Sequence, residues 1–226
     1  MRKLTLTAAA AALLFAASCN SSSSSDTAKT DTAKTAAVAT GKEFTADAAA
    51  SVIKWRATHK GGMAPRFGTI NITNGTVSVQ DGKVTGGSFD VDLKSLKVDT
   101  ASVTEKGKKS TDLETHLKSP DFFNVDKHPV AKFVITNVAP FDAAKDKSLL
   151  EGATNLVSGI LTIKDSTVNV TFPAKIAIAD NGVTVEAKFT IDRTSWGLNY
   201  GAEGDPANWM ISKDFELDVN LKAVQK

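Results

Sequence analysis

The chain has 226 residues, with 27 Lys and Arg against 25 Asp and Glu, and a single cysteine. A near-balanced charge gives no argument for nucleic-acid binding. One cysteine excludes a disulfide framework within the chain.

The first residues point to export. Arg2 and Lys3 make a positive start, and Leu4 to Ala17 is an apolar, alanine-rich run. A run of about a dozen apolar residues matches a signal-peptide core and falls short of the roughly 20 needed to cross a bilayer. Ala16-Ala17-Ser18 then precedes Cys19. This order resembles the lipobox of bacterial lipoproteins, with Ala16 where Leu is commoner. The reading is a lipoprotein signal peptide over 1–18, lipidation at Cys19, and a membrane-anchored product facing the periplasm. The alternative is an ordinary signal peptide that leaves Cys19 as a stray thiol. Loss of Arg2 and Lys3 takes the basic count from 27 to 25, level with the acidic count.

Residues 19–45 read as a flexible tether. Ser21 to Ser25 is an unbroken serine run, and Asp-Thr-Ala-Lys-Thr follows twice, at 26–30 and 31–35. No large apolar residue appears before Val38, so the segment buries too little surface to offset chain entropy. Asp26-Thr27-Ala28 and Asp31-Thr32-Ala33 also resemble a bacterial O-glycosylation acceptor, or serve as solvated linker.

From 46 to 226 the pattern is one domain of alternating strands, with side chains falling on opposite faces. Ile53, Trp55 and Ala57 alternate with Lys54 and Arg56. Gly68, Ile70 and Ile72 come next, then Val77 and Val79, then Phe89, Val91 and Leu93. Ala131, Phe133 and Ile135 lead to Gly159, Leu161 and Ile163, then to Val168, Val170 and Phe172. Val183 to Ile191 and Phe215 to Ala223 repeat the alternation. Asn74-Gly75, Asp81-Gly82 and Asn181-Gly182 are turn dipeptides, and Asp165-Ser166 sits where another turn belongs. Strands joined this way are antiparallel. About eight of them close into a barrel with no exposed edge. The fold class is therefore all-β, an antiparallel closed barrel.

One segment departs from the alternation. Thr111-Asp112-Leu113-Glu114 has the form of a capping box, with Thr111 at the N-cap. Leu113 and Leu117 share one helical face, and Ser119-Pro120 ends the run. A helix this short must dock on something apolar, and the barrel mouth is the candidate. Phe122 and Phe123 either plug the same opening or complete the core.

The order of pieces resembles the YceI-like family of bacterial lipid-binding proteins. The matching segments are Trp55-Arg56-Ala57-Thr58-His59, Val84 to Phe89, His116-Leu117-Lys118-Ser119-Pro120-Asp121-Phe122-Phe123, His128 to Phe133, Ser158 to Lys164 and Ile191-Asp192-Arg193-Thr194-Ser195-Trp196-Gly197. The resemblance implies a lipocalin-like barrel whose elongated pocket holds a polyisoprenoid chain, with no known catalysis. Gly204 to Trp209 departs from the family pattern by adding an aromatic before the last strand.

Other chemistry finds little support. His59, His116 and His128 lack close metal-ligand spacing and a second cysteine. There is no nucleophile elbow and no phosphate loop. No enzyme, metal site or cofactor is expected. The expected function is a carrier or sequestering lipoprotein for an isoprenoid-type lipid. Its lining is expected from Ile53, Trp55, Ala57, Ile70, Phe89, Val91, Leu113, Leu117, Phe122, Phe123, Phe133, Ile135, Leu161, Phe189, Ile191 and Trp196. Small inward residues such as Gly68 and Gly159 leave room for it. His59, Arg66 and Arg193, at strand ends, are candidates for an anionic head group, or make local salt bridges. The alternative function is a structural or interaction lipoprotein whose barrel is filled by its own side chains. The oligomeric state is not readable.

Overall fold

The computed structural model describes residues 26–203 and 210–225. The signal-peptide reading, Cys19 and the Gly204–Trp209 departure lie outside the described residues. The leading segment forms β1 (Asp26–Thr27) and β2 (Lys29–Asp31), followed by β3 (Lys42–Ala46). The barrel strands are β4 (Val52–His59), β5 (Arg66–Gln80), β6 (Lys83–Val98), β7 (Val130–Pro140), β8 (Asn155–Ile163), β9 (Ser166–Ala179), β10 (Gly182–Asp192) and β11 (Ile211–Val224). The helix α1 (Ser110–Lys118) lies between β6 and β7.

Each of these eight strands pairs antiparallel with the next, and β11 returns to β4. The result is a closed eight-stranded antiparallel barrel of the lipocalin-like kind, with one helix at an end. The alternation explains it: each wall strand has one apolar face, and closure removes the edges. The main core holds Trp55, Ile70, Phe172, Phe189 and Ile191 from the walls, with Phe122, Phe123 and Trp196 from the connections. α1 and the β4–β5, β8–β9 and β10–β11 connections share one end, called here the helix end.

Local chemistry sets the turns, with one surprise. Asp81 and Gly82 take positive φ between Gln80 and Lys83 and close a tight hairpin. Asn74-Gly75 does not turn. β5 runs straight through it, and a register shift between Ile72 and Asn74 absorbs the irregularity. Gly75 is needed because a Cβ there would stand 2.4 Å from the Phe89 ring. Gly159 has the same role under Phe133, 2.1 Å from Cζ. Small inward residues therefore house neighbouring rings, and the room expected at Gly159 is taken.

The N-cap of α1 also differs from expectation. The capping residue is Lys109, and no side chain caps the helix. Glu114 turns instead to the end of β6, where it accepts from Val98 N at 3.0 Å and Lys97 Nζ at 3.2 Å. An orphan strand N–H competes better for the carboxylate than the helix end does.

The leading segment is not free from residue 26 onward. β9 and β10 pair only as far as Ala174 and Ala187. Beyond that point they part, and Asp26–Asp31 fills the gap. β1 runs parallel to β10 through Asp26↔Phe189 and Thr27↔Thr190. β2 runs antiparallel to β9 through Lys29↔Thr171, Thr30↔Val170 and Asp31↔Asn169. Ala28, between them, donates to Thr190 O at 2.8 Å and is buried among the core residues. The chain then crosses to Ile135 O through Ala37 N and to Thr85 through Thr40. It ends in β3, which pairs with β5 and β11. The tether expected over 19–45 thus carries strand structure from 26, because parted strands leave backbone groups that need partners.

Candidate functional site

Consecutive inward positions on the same strands divide between two hollows. Trp55, Ile191 and Phe215 face a mouth chamber at the helix end, of about 300 Å³. Ile53, Phe189 and Leu217 face an inner chamber of about 120 Å³. No residue lines both.

The inner chamber has only apolar side chains on its wall. Of the expected lining, Ile53, Phe89, Val91, Phe133, Ile135, Leu161 and Phe189 are here. Phe172 stacks on Phe189 with ring centroids 4.0 Å apart, and lies 5.8 Å from Phe133. Phe172 was readable as an inward strand residue, yet its stack on Phe189 of the neighbouring strand was not.

The mouth takes Trp55, Ala57, Leu113, Leu117, Phe122, Phe123 and Ile191 from the expected set. The Leu face of α1 and both phenylalanines therefore meet at the opening. Trp55 stacks on Phe215 at 5.8 Å and donates through Nε1 to Lys97 O at 3.2 Å. Two expected residues line neither chamber. Ile70 is buried in the core. Trp196 is 1% exposed and spends its indole N–H on Leu161 O at 2.9 Å. Tyr200, Leu198 and Ile211 line the mouth without having been foreseen. They lie in or beside the β10–β11 connection, where no alternation marks them. Tyr200 packs against His116 at 4.7 Å and Phe122 at 5.0 Å.

The three head-group candidates all border the mouth, but two are already engaged. Arg193 is 4% exposed. Its guanidinium donates to Ser212 O at 3.0 Å, Ile211 O at 3.1 Å and Leu198 O. Burial pushes its pKa down and the Asp192 carboxylate offsets part of that, yet an arginine stays charged. Its work is to staple the β10–β11 connection. Asp192 itself pairs with Lys213 at 3.1 Å. Arg66 is ion-paired with Glu105 and donates to Ser102 O at 2.7 Å. His59 differs, because its Nδ1 is buried with no hydrogen-bond partner among the described residues. His116 reaches Asp121 at 3.2 Å on the rim. His128 is drawn to Asp165 instead, at 3.6 Å.

Among the described residues, no group of three or more His, Cys, Asp or Glu is placed to hold a metal. None of the described helices is long and apolar enough to cross a membrane. What the geometry offers is an apolar interior chamber with a wider mouth whose rim carries polar groups.

Comparison with known proteins agrees with the architecture. The crystal structure of Burkholderia cenocepacia BcnA superposes with a TM-score of 0.57 at 18% identity, covering 79% of this chain and 99% of that one. A polyisoprenoid binding domain from Saccharophagus degradans, implicated in plant cell wall breakdown, superposes with a TM-score of 0.52 at 17% identity, covering 81% and 98%. No curated protein matches the sequence. The model of the YceI-like domain matches residues 44–223, from within β3 to within β11, and the chain belongs to the YceI-like domain family.

Proposed function

We propose that the barrel holds an isoprenoid-type lipid, with the chain in the inner chamber and the head group at the mouth. The observation that carries this reading is the wholly apolar inner wall inside a closed barrel. A hydrocarbon chain gains from such a wall, and a polar ligand finds nothing there to replace its water. The polyisoprenoid-binding neighbour and the shared family support the same class of ligand. His59 and Tyr200 are the side chains placed to meet a head group, since Arg66, Arg193 and His116 already have partners. The role is that of a carrier or sequestering protein without catalysis. Export, anchoring through Cys19 and a periplasmic position belong to the same proposal. They rest on the apolar leader and on Ala16-Ala17-Ser18-Cys19. Cys19→Ala is expected to move the protein from the membrane fraction to soluble extract, and unchanged fractionation overturns the anchor.

A second reading has its own observation. The Phe172–Phe189 stack and the ring over Gly159 occupy much of the interior, as in a barrel filled by side chains and used for interaction. Native mass spectrometry of gently purified protein, together with Phe189→Ala, separates the two. A carrier is expected to retain an isoprenoid, and Phe189→Ala to change which chain lengths bind. A filled barrel carries no lipid, and Phe189→Ala then costs it about 3–5 kcal/mol through the cavity left behind.

A further inference from the structure

One stretch of the wall borders both chambers. Beyond Ala174↔Ala187, the edge of β10 carries Phe189, which faces the inner chamber, and Ile191, which faces the mouth. The facing edge of β9 carries Val170 and Phe172, both in the inner wall. Asp26–Asp31 runs between these edges. Two strands that flank a third stand about 9–10 Å apart, so without this segment the wall has a slit one strand wide. On its inner side Phe172 and Phe189 stack with their planes 4° apart. The segment is lightly held. Ala28, 6% exposed, packs in the same core cluster as the two rings, while Thr27, Lys29, Thr30 and Asp31 are exposed. The rest of its hold is backbone hydrogen bonding and the Asp26 carboxylate on Leu149 N. The mouth, by contrast, is crowded by Leu113, Leu117, Phe122 and Phe123.

We propose that the β9–β10 seam is a side door for the lipid, with Asp26–Asp31 as its bolt. The inference rests on the lipid-holding reading and adds the route of entry. When the segment swings out, the slit joins the inner chamber to the mouth, so chain and head group enter sideways together. Entry through the mouth would thread the chain end-on past the side chains that crowd it. A slit that holds an extended backbone is wide enough for a hydrocarbon chain. While the segment is out, the backbone groups it leaves on β9 and β10 face water, which satisfies them. Its return restores those bonds and reburies Ala28, so the closed wall is the favoured state.

A reversible lock tests the door. In the full chain with Cys19→Ser, Lys29→Cys and Thr171→Cys place thiols on register partners, and their oxidation bolts the segment in place. The protein is loaded with a fluorescent farnesol analogue, and its exchange against unlabelled farnesol is timed. Oxidation is expected to slow exchange by about tenfold or more, and reduction of the same sample to restore it. Ala28→Asp is expected to quicken exchange by about tenfold, and Leu117→Ala at the mouth to change it little. A second readout needs no lipid. Val157→Cys, buried in the inner wall, is expected to react with iodoacetamide about tenfold faster when Ala28→Asp is added. Leu96→Cys, buried but lining neither chamber, is expected to keep its rate. The proposal is overturned if exchange ignores the lock, if Leu117→Ala governs it instead, or if both cysteines quicken alike, which is general loosening. A probe that binds none of the samples strikes the lipid-holding reading, and the alkylation rates then decide the door alone.

Discussion

The barrel wall closes at two places in different ways. At the β4–β11 seam the pairs run from Val52↔Asn220 to Ala57↔Phe215, and Trp55 stacks on Phe215 just inside. At the β9–β10 seam the direct pairs stop at Ala174↔Ala187, and the wall is completed by Asp26–Asp31. The first seam lies within the family's common region, while the second borrows residues that precede it. The borrowed stave is held by backbone hydrogen bonds, one buried alanine and the Asp26 carboxylate on Leu149 N. Thr27, Lys29, Thr30 and Asp31 are exposed and contribute little burial. A wall continuous in outline is therefore uneven in strength, and the two seams should open at very different free energies.

The largest effect is expected from breaking the strong seam. Trp55→Ala removes a buried ring, its stack on Phe215 and its bond to Lys97 O. It should cost about 3–5 kcal/mol of global stability by urea titration. A loss under about 1 kcal/mol, well below the usual range for such a truncation, would mean that this seam is no firmer than the other. Ala28→Asp attacks the weak seam by placing a carboxylate at a buried position. The strain is relieved by expelling the stave, so the cost is capped by the stave's own hold, about 1–2 kcal/mol. Hydrogen exchange should quicken at Lys29–Asp31 and Asn169–Thr171 and stay slow in β4 and β11. Uniform quickening would show that the seams open together.

The smallest effect concerns the helix beside the mouth. Burial works against ionisation of Glu114, but the Val98 N–H and the Lys97 ammonium outweigh it and hold the carboxyl below its ordinary value of 4.5. Because the folded value is the lower one, this stabilisation is complete above the ordinary value and is lost as pH falls through the folded value. Glu114→Gln should cost about 1–2 kcal/mol at neutral pH and flatten the loss of stability on acidification. Thr111→Ala is the control. It does not cap the helix, so it should stay within about 0.5 kcal/mol of wild type, as surface changes do. A larger loss would restore the capping box that the sequence suggests.

What was legible follows from the range of the forces involved. Period-two alternation is a local record of a two-sided wall, so strand identities and the closed barrel were readable. α1 was readable from Leu113, Leu117 and Pro120, but its capping was not. The competitor for Glu114 is a backbone N–H at Val98, brought close only by the fold. Asn74-Gly75 carries the signature of a turn, and it is the Phe89 ring and the Ser88 carbonyl on the neighbouring strand that explain the glycine. Arg193 at a strand end suits an anion or a set of carbonyls equally well until Leu198, Ile211 and Ser212 are seen around it. The stave was the least legible part. Asp-Thr-Ala-Lys-Thr has the composition of a linker, and its strand form is imposed by the gap it fills.

That stave also fixes an order of assembly. Asp26–Asp31 emerges early in synthesis, yet its partners Asn169–Thr171 and Phe189–Thr190 are made near the other end of the chain. Contacts this distant along the sequence raise contact order, and loop closure penalises forming them before the rest is in place. β4 to β11 can meet through hairpins and one return pairing, whereas the stave has no slot until β9 and β10 have both formed and parted. The first described residues of the chain are thus expected to be among the last to find their place. Until they do, the nascent barrel presents two unpaired strand edges, the form of intermediate most prone to pair with its neighbours.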